Sequence, residues 1–555
     1  MSLKPHGLEP IPEETRLLVQ RLIPKGTLVT QLRDALGPIY SDEHFAQLFP
    51  KRGRPAEAPW RLALVTVLQA LEGLTDRQAA EAVRTRIDWL YALALPLDEP
   101  GFDYSILTDF RQRVLAAGAQ DLILEPILQL SRERGWLKPR GKQRTDATAV
   151  LARVRALSSL ESVGESMRAV LNAIAEQEPT WLREHLNPAW EERYVHRFEL
   201  ARFPKAETER KLLRMQVGQD VAQLLTSIDE PQTPQAVREL AAVALVRQIF
   251  AQHYEQQGQQ VHWRDGPAVS NEQRIVSPYD PQARSSRKRD TIWLGYKVHL
   301  TETCDQDPQC PHLITQVTTT VATLPDTEVL APIGEQLRAR DLAPAEHYVD
   351  QGYPSGPELV RQARLGTQLI GPVGQDTSWQ QREQTGYALD DFALDWPGQV
   401  ATCPQGHQSV GWTQPPDRRK HATVVIRGAS ATCRRCPVRA QCTRGQGGRT
   451  LTLTPPEVRA ALLERREVQH TPAFVQQYAL RAGIEGTLSQ ALRTTRLRRT
   501  PYRGLPKTHL HHVAIAAGLN LKRICVHLHA QSLGKPPRPA RRKSSFARLQ
   551  DQEVA

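Results

Sequence analysis

The chain has 555 residues and a net charge of +12, with 24 % charged residues. At roughly 100 to 200 residues per domain, three or more domains are expected. No apolar stretch approaches the ~18 to 20 residues a membrane helix needs, and the opening MSLKPHGLEPIPEETRLL lacks the apolar core of a signal peptide, so a cytoplasmic, nucleoid-associated protein without a membrane partner is expected. Seven cysteines in so long a chain make no disulfide framework, and four of them cluster late.

The position of the charge matters more than its sum. Residues 481 to 550 hold 15 Lys and Arg against one acid, Glu485, a surplus of 14 that leaves −2 for the rest of the chain. A phosphate backbone attracts such a concentration because each neutralised phosphate releases counterions. A solvated basic tail accounts for GKPPRPARRKSSFARLQ but not for RTTRLRRTPYRGLPK, so double-stranded DNA is the expected partner.

In chain order, residues 60 to 116 read as helices. PWRLALVTVLQALEG is almost wholly apolar and stops at Gly73, TDRQAAEAVRTR opens with a capping box from Thr75 to Gln78, and YSILTDFRQRVLAAG starts at a Ser105 cap. The first two, joined by a short turn, suggest a helix-turn-helix-like unit, although helix pairs of this shape are more often structural than DNA readers. Residues 157 to 256 are again helical. Strands are expected in QRTDATAVLARV, WLGYKVHLTET and HLITQVTTTVATL, the last two as a hairpin across CDQDPQCP. DTEVLAPIGEQLRARD then reads as helix, EHYVD as strand, SGPELVRQAR as helix and TQLIGPV as strand. The order is β, long insertion, β, β, α, β, α, β: an α/β fold with an antiparallel meander followed by parallel crossovers, as in an RNase H-like domain.

In EHYVDQGYPSGPEL a short strand ends at Asp350, and Ser355 with Glu358 forms a capping box for the next helix. A carboxylate outside the end of such a strand is a candidate site residue. It can equally satisfy turn backbone groups. In an RNase H-like fold the first and fourth strands are neighbours, and they carry Asp146 and Asp350. A third acid is expected from a later helix, where Glu485 is the lone acid of a basic region. These acids are 204 and 135 residues apart, which requires two large insertions.

The stretches RGRPAEAPWRLALVTVLQALEGLTDRQAAEAV, FDYSILTDFRQRV, TDATAV, DPQARSSRKRDTIWLGYKVHL, YVDQGY and RRTPYRGLPKTHLHHVAIAAGLNLKR, in this order, resemble bacterial insertion-sequence transposases with a DDE triad, specifically insertion sequence family eleven-eighty-two. The related signature Tyr-x2-Arg-x3-Glu-x6-Lys is met by Tyr478, Arg481 and Glu485; its last position holds Leu492, with Arg493 one residue later as a substitute. The resemblance implies a transposase that cuts element ends and joins 3′ hydroxyls to target DNA, working as a homodimer on DNA. It implies two Mg²⁺ ions, with Asp146 bridging them and Asp350 and Glu485 each holding one; carboxylates are the hard oxygen ligands this ion takes. Tyr478 and Arg481, seven and four residues before Glu485 on roughly one helical face, would hold phosphate, with Arg493, Arg496, Arg498, Arg499 and Lys297 as further DNA contacts.

Cys403, Cys433, Cys436 and Cys442 form a C-x29-C-x2-C-x5-C array. Four thiolates would close a structural zinc site, with reduced unliganded cysteines as the other reading and His407 as the near substitute for a missing first-pair partner. Cys304, Cys310 and Cys525 have no assigned role, and the HLHH at 509 to 512 suits packing or phosphate contact. The resulting division is 1–140 helical and DNA-end-binding; 141–156, 285–375 and 455–530 catalytic; 157–284 a helical insertion; 376–454 a cysteine-rich zinc insertion; 531–555 a basic disordered tail. A repurposed DNA-binding protein without catalysis and a metal-dependent nuclease without strand joining are the competing functions.

Overall fold

The computed structural model describes residues 2–3, 7, 9–258, 260–266, 268–383, 385–414 and 423–534. Of the tail expected at 531–555, Gln531 and Ser532 end a helix, and the stretch from 535 onward lies outside the described residues.

Helix α1 (Pro59–Glu72) ends where Gly73 takes a left-handed φ of 69°, and α2 (Asp76–Thr85) starts from a Thr75–Gln78 capping box. Helix α3 begins at Ser105 and runs to Ala116, but Ser105 does not cap it: the Asp103 carboxylate accepts the Ser105 N–H at 2.9 Å. Strand β1 (Lys142–Leu151) follows. The chain then leaves for a helical excursion built on α4 (Ser159–Gln177), α5 (Glu207–Asp229) and α6 (Ala241–His253), with its own core around Val163, Met167, Trp190, Val221 and Ile249.

It returns through β2 (Arg284–Lys288), β3 (Thr291–Thr303) and β4 (Ile314–Val321), then alternates α7 (Asp326–Ala339), β5 (Glu346–Val349), α8 (Gly356–Arg364) and β6 (Gln368–Ile370). The sheet order is β4-β3-β1-β5-β6, with β2 pairing the outer edge of β3 near its start. Strand β3 is antiparallel to β1 and β4, whereas β5 and β6 run parallel to β1 and are reached by helical crossovers. This mixed α/β sheet is consistent with an RNase H-like fold. Strand β2 had no strand reading in the sequence, since ARSSRKRD is polar on both faces and pairs only as an edge.

Past β6, small antiparallel sheets (393–395 with 400–402; 409–413, 424–428 and 450–453) surround the late cysteines. Helix α9 (Gly483–Thr494) and the 28-residue α10 (Leu505–Ser532) close the chain. Helix α10 is apolar nearly all round and accordingly buried, wedged between α1 and β4, so the N-terminal helices and the sheet share one core through Leu68, Ile515, Leu519 and Val317. Its histidines pack: the Nδ1 atoms of His509 and His512 lie 3.2 and 2.8 Å from Thr319 Oγ1 on β4. Much of the basic C-terminal region is therefore core. Among the described residues no helix is long and apolar enough to cross a membrane.

Candidate active site

Strand β1 pairs with β5 only over residues 142 to 145, and its next partner on that side is the bridge from Leu151 to Arg499. Asp146 is the first residue past the parallel pairing, so its side chain stands where the sheet forks. Asp350 follows the end of β5 directly, across from it. Its Oδ1 accepts the Gly352 N–H at 2.7 Å, so the turn-satisfying role read for this residue is realised alongside its place at the fork.

The segment carrying Glu485 crosses the opening. Tyr478 ends one helix, residues 479–482 form a 3₁₀ turn, and α9 begins at Gly483, so the expected single helical face is broken. The cause is Arg144, whose Nη1 donates to the Leu480 carbonyl at 2.7 Å. A Cβ at Gly483 would sit 2.0 Å from the same Nη1, so a larger residue there would have to displace the Arg144 guanidinium. The turn still carries Arg481 back over the fork. Its Nη1 lies 2.9 Å from Asp146 Oδ2 and its Nη2 2.8 Å from Glu485 Oε1; Asp146 and Arg481 are each 16 % exposed, and Glu485 is 63 % exposed.

Burial raises the Asp146 carboxyl above its usual range; the Ala147 N–H and Arg481 oppose this, and the like charge of Asp350 adds to it. Burial, opposed by Arg481 and helped by Asp350, Asp146 and Glu485, pushes the Tyr478 hydroxyl up to about 12. Tyr353 Oη, 2.7 Å from His299 Nδ1, underlies the same site: burial raises its hydroxyl, as do Asp326, Asp146 and Asp350.

Asp326, absent from the sequence reading, is the fourth carboxylate here; only its place at the start of α7 could have marked it. Lys297, expected on DNA, has its ammonium tied to Asp326 and the Leu324 carbonyl and is largely covered. Arg493 lies about 12 Å beyond Glu485 along α9, at ~1.5 Å per residue, and donates to Ser489 on the same helix. Arg496, Arg498 and Arg499 are exposed just past α9, where the Leu151 N–H donates to the Arg498 carbonyl and the Thr500 N–H to the Leu151 carbonyl on either side of Arg499. The Ser355 hydroxyl caps α8, but the capping box is half made, since Glu358 Oε1 accepts from Gln362 instead.

A second reason the Glu485 helix sits where it does lies behind the fork. Glu302 on β3 is 0 % exposed and takes Arg144 at 2.6 Å, Arg523 of α10 at 2.7 Å and the Thr487 hydroxyl at 2.6 Å. Burial pushes its carboxyl up, but Arg523 and Arg144 more than offset that and hold it ionised below the usual range. Thr487 is two residues from Glu485, so this buried cluster fixes α9 to the sheet.

Among the described residues no group of three or more His, Cys, Asp or Glu side chains stands so as to hold a metal ion. At the fork the donors are of the kind magnesium takes, yet Arg481 occupies oxygens of two of them. For zinc the finding is a correction. Cys403, Cys433, Cys436 and Cys442 do line one cavity of about 60 Å³, with His407 at its wall, but their thiols do not converge on a centre. Cys442 packs among Phe392, Ile426 and Leu451, and burial raises its thiol, with Arg449 opposing and the neighbouring Cys433, Cys403 and Cys436 adding to the rise.

A mixed sheet that forks at an aspartate, with further acids and a basic segment around the fork, defines an α/β protein with carboxylates gathered at the fork of its sheet. Residues 402–525 match the family model described as Transposase DDE domain, and residues 18–113 match Transposase domain (DUF772). The first covers Glu485, Arg481 and the cysteines but neither Asp146 nor Asp350; the second covers α1, α2 and most of α3. Comparison with curated proteins gives no match. The two family matches support an insertion-sequence DDE transposase, an enzyme acting on DNA.

Proposed function

We propose that the chain cuts DNA at the ends of an insertion sequence similar to family eleven-eighty-two and joins the freed 3′ hydroxyls to target DNA, with Asp146, Asp350 and Glu485 as the metal-holding acids. What supports this reading is Arg481, which holds Asp146 and Glu485 together at the fork, with Asp350 just past the strand end opposite Asp146. Magnesium, when bound, supplies Lewis-acid stabilisation of the attacking and leaving oxygens at phosphorus. The chain's own residues do the rest. Asp146 is fixed by the Ala147 N–H at 2.7 Å and shielded from water on the sheet side. Arg481 neutralises the acids while DNA is away and, turned off them, presents a planar pair of donors to a phosphate. Tyr478, stacked on Phe474 with 5.7 Å between ring centroids, holds the other flank of that arginine.

The test is Mg²⁺-dependent strand cleavage by Asp146→Ala, Asp350→Ala and Glu485→Ala, with DNA affinity measured in parallel. Each is expected to lose cleavage while binding within a few-fold of the parent, since affinity resides in phosphate contacts elsewhere. Cleavage at the parent rate by any one of them removes that acid from the site.

A further inference from the structure

Strand β1 continues beyond the fork. Past Leu151 the chain runs through Arg153 and Arg155 to the root of the helical insertion, where a cleft of about 410 Å³ opens. Five arginines from separate parts of the chain line it: Arg153 and Arg155 at the exit of β1, Arg168 on α4, Arg197 in the loop before α5, and Arg503 just before α10. The facing carboxylates do not match them. Glu161 takes Arg155 at 2.9 Å, Glu165 lies 3.7 Å from Arg168 while also accepting from the Tyr279 hydroxyl and the Phe198 N–H, and Glu199 stands 3.9 Å from Arg197. Arg153 donates to the Pro501 carbonyl at 2.8 Å, and Arg503 lies 5.5 Å over the Tyr279 ring; among the described residues neither has a carboxylate partner.

A concave space with unmatched positive charge focuses an attractive field for anions. A guanidinium over an aromatic ring keeps its donors available, which suits a phosphate oxygen. The cleft is also continuous with the site. Arg498 and Arg499, both exposed, lie beside Leu151, which bonds the Arg498 carbonyl and the Thr500 N–H on either side of Arg499, between the cleft and Asp146. From Asp146 the strand runs five residues to Leu151, about 17 Å at ~3.3 Å per residue, and Arg153 follows two residues past its end. That is at least about five nucleotides along one strand at ~3.4 Å each.

We infer that this cleft is a second DNA-backbone site, gripping duplex phosphates several base pairs from the phosphate at the acids. The helical insertion would then act as a jaw on the duplex. The inference rests on the transposase reading only in taking DNA as the ligand. The two fail separately: the reading fails if Asp146→Ala still cleaves, this inference if arginine variants bind as the parent does.

The experiment uses the full chain and a 40-base-pair duplex across a salt series, with inorganic phosphate as a second probe. The Arg153→Ala/Arg503→Ala pair is expected to weaken binding about tenfold and lower the slope of log affinity against log salt by about 2, with Arg153→Lys/Arg503→Lys largely retaining both. Arg197→Glu, a surface change that leaves packing intact, is expected to weaken binding at least about fivefold. Unchanged affinity and slope in the alanine pair, or unchanged affinity in Arg197→Glu, overturns the inference. So does inorganic phosphate bound at this cleft as tightly as the duplex, which would make it a small-anion pocket.

Discussion

Arg481 and Asp146 are 335 residues apart in the chain and 2.9 Å apart in space, and the same guanidinium holds Glu485 at 2.8 Å. The arginine lowers the Asp146 carboxyl against burial and against Asp350. Removing it leaves only the Ala147 N–H to oppose them, so the Asp146 pKa rises further. Asp146 must be ionised to hold a cation. The acid limb of the pH–rate profile for cleavage is therefore expected to move to higher pH in Arg481→Ala and to move less in Arg481→Lys. Profiles from about pH 5 to about pH 9 would check this; coincident acid limbs would show that Arg481 does not tune Asp146.

The buried Glu302 cluster gives a stability prediction. Glu302→Gln leaves Arg144 and Arg523 facing an uncharged amide in the interior, a change expected to cost about 3 to 5 kcal/mol in urea unfolding. Thr487→Val, which removes the hydroxyl between Glu302 and Arg523, should cost about 1 to 3 kcal/mol, with Thr487→Ser close to the parent. Equal stability of the valine and serine forms would remove Thr487 from the cluster.

Histidines set the acid side of stability. Burial, aided by Lys297, lowers His299 to about 3; burial alone lowers His347 to about 4; burial, with Arg111 and Arg496, lowers His511 to about 4. Their folded pKa values lie below the unfolded ~6.5, so between those values the unfolded chain binds more protons. Stability is complete above ~6.5 and falls as pH drops through the interval, by about 2 kcal/mol per histidine at pH 5. Denaturant midpoints at pH 7.5 and 5 should differ accordingly, and His347→Gln should flatten the slope by up to about 1.4 kcal/mol per pH unit. A midpoint independent of pH would contradict the burial of these rings as neutral species.

Arg496, Arg498 and Arg499 are all exposed, so their triple alanine variant is expected to weaken binding to repeat and scrambled duplexes alike. The salt slope should fall by about 0.9 per lost phosphate contact. Loss confined to one sequence with an unchanged slope would assign these arginines to base reading.

Local pattern determined much of this protein. Alternation and β-branching marked β1, β3, β4 and β5, the apolar run to Gly73 marked α1, and the strand-to-turn step marked Asp350, because these depend on residues within a few positions of one another. The isolation of Glu485 in a basic region was likewise visible in composition. Tertiary structure decided what distant residues do to each other. Packing set Asp326 beside Lys297, and the cysteine spacing allowed a zinc site whose thiols do not converge. Arg523 counted toward a basic surface until α10 was buried and its guanidinium fell on Glu302. A charge count cannot separate arginines that face solvent from those that neutralise a buried carboxylate, since that depends on which elements pack together and on the cost of leaving an ion unpaired there.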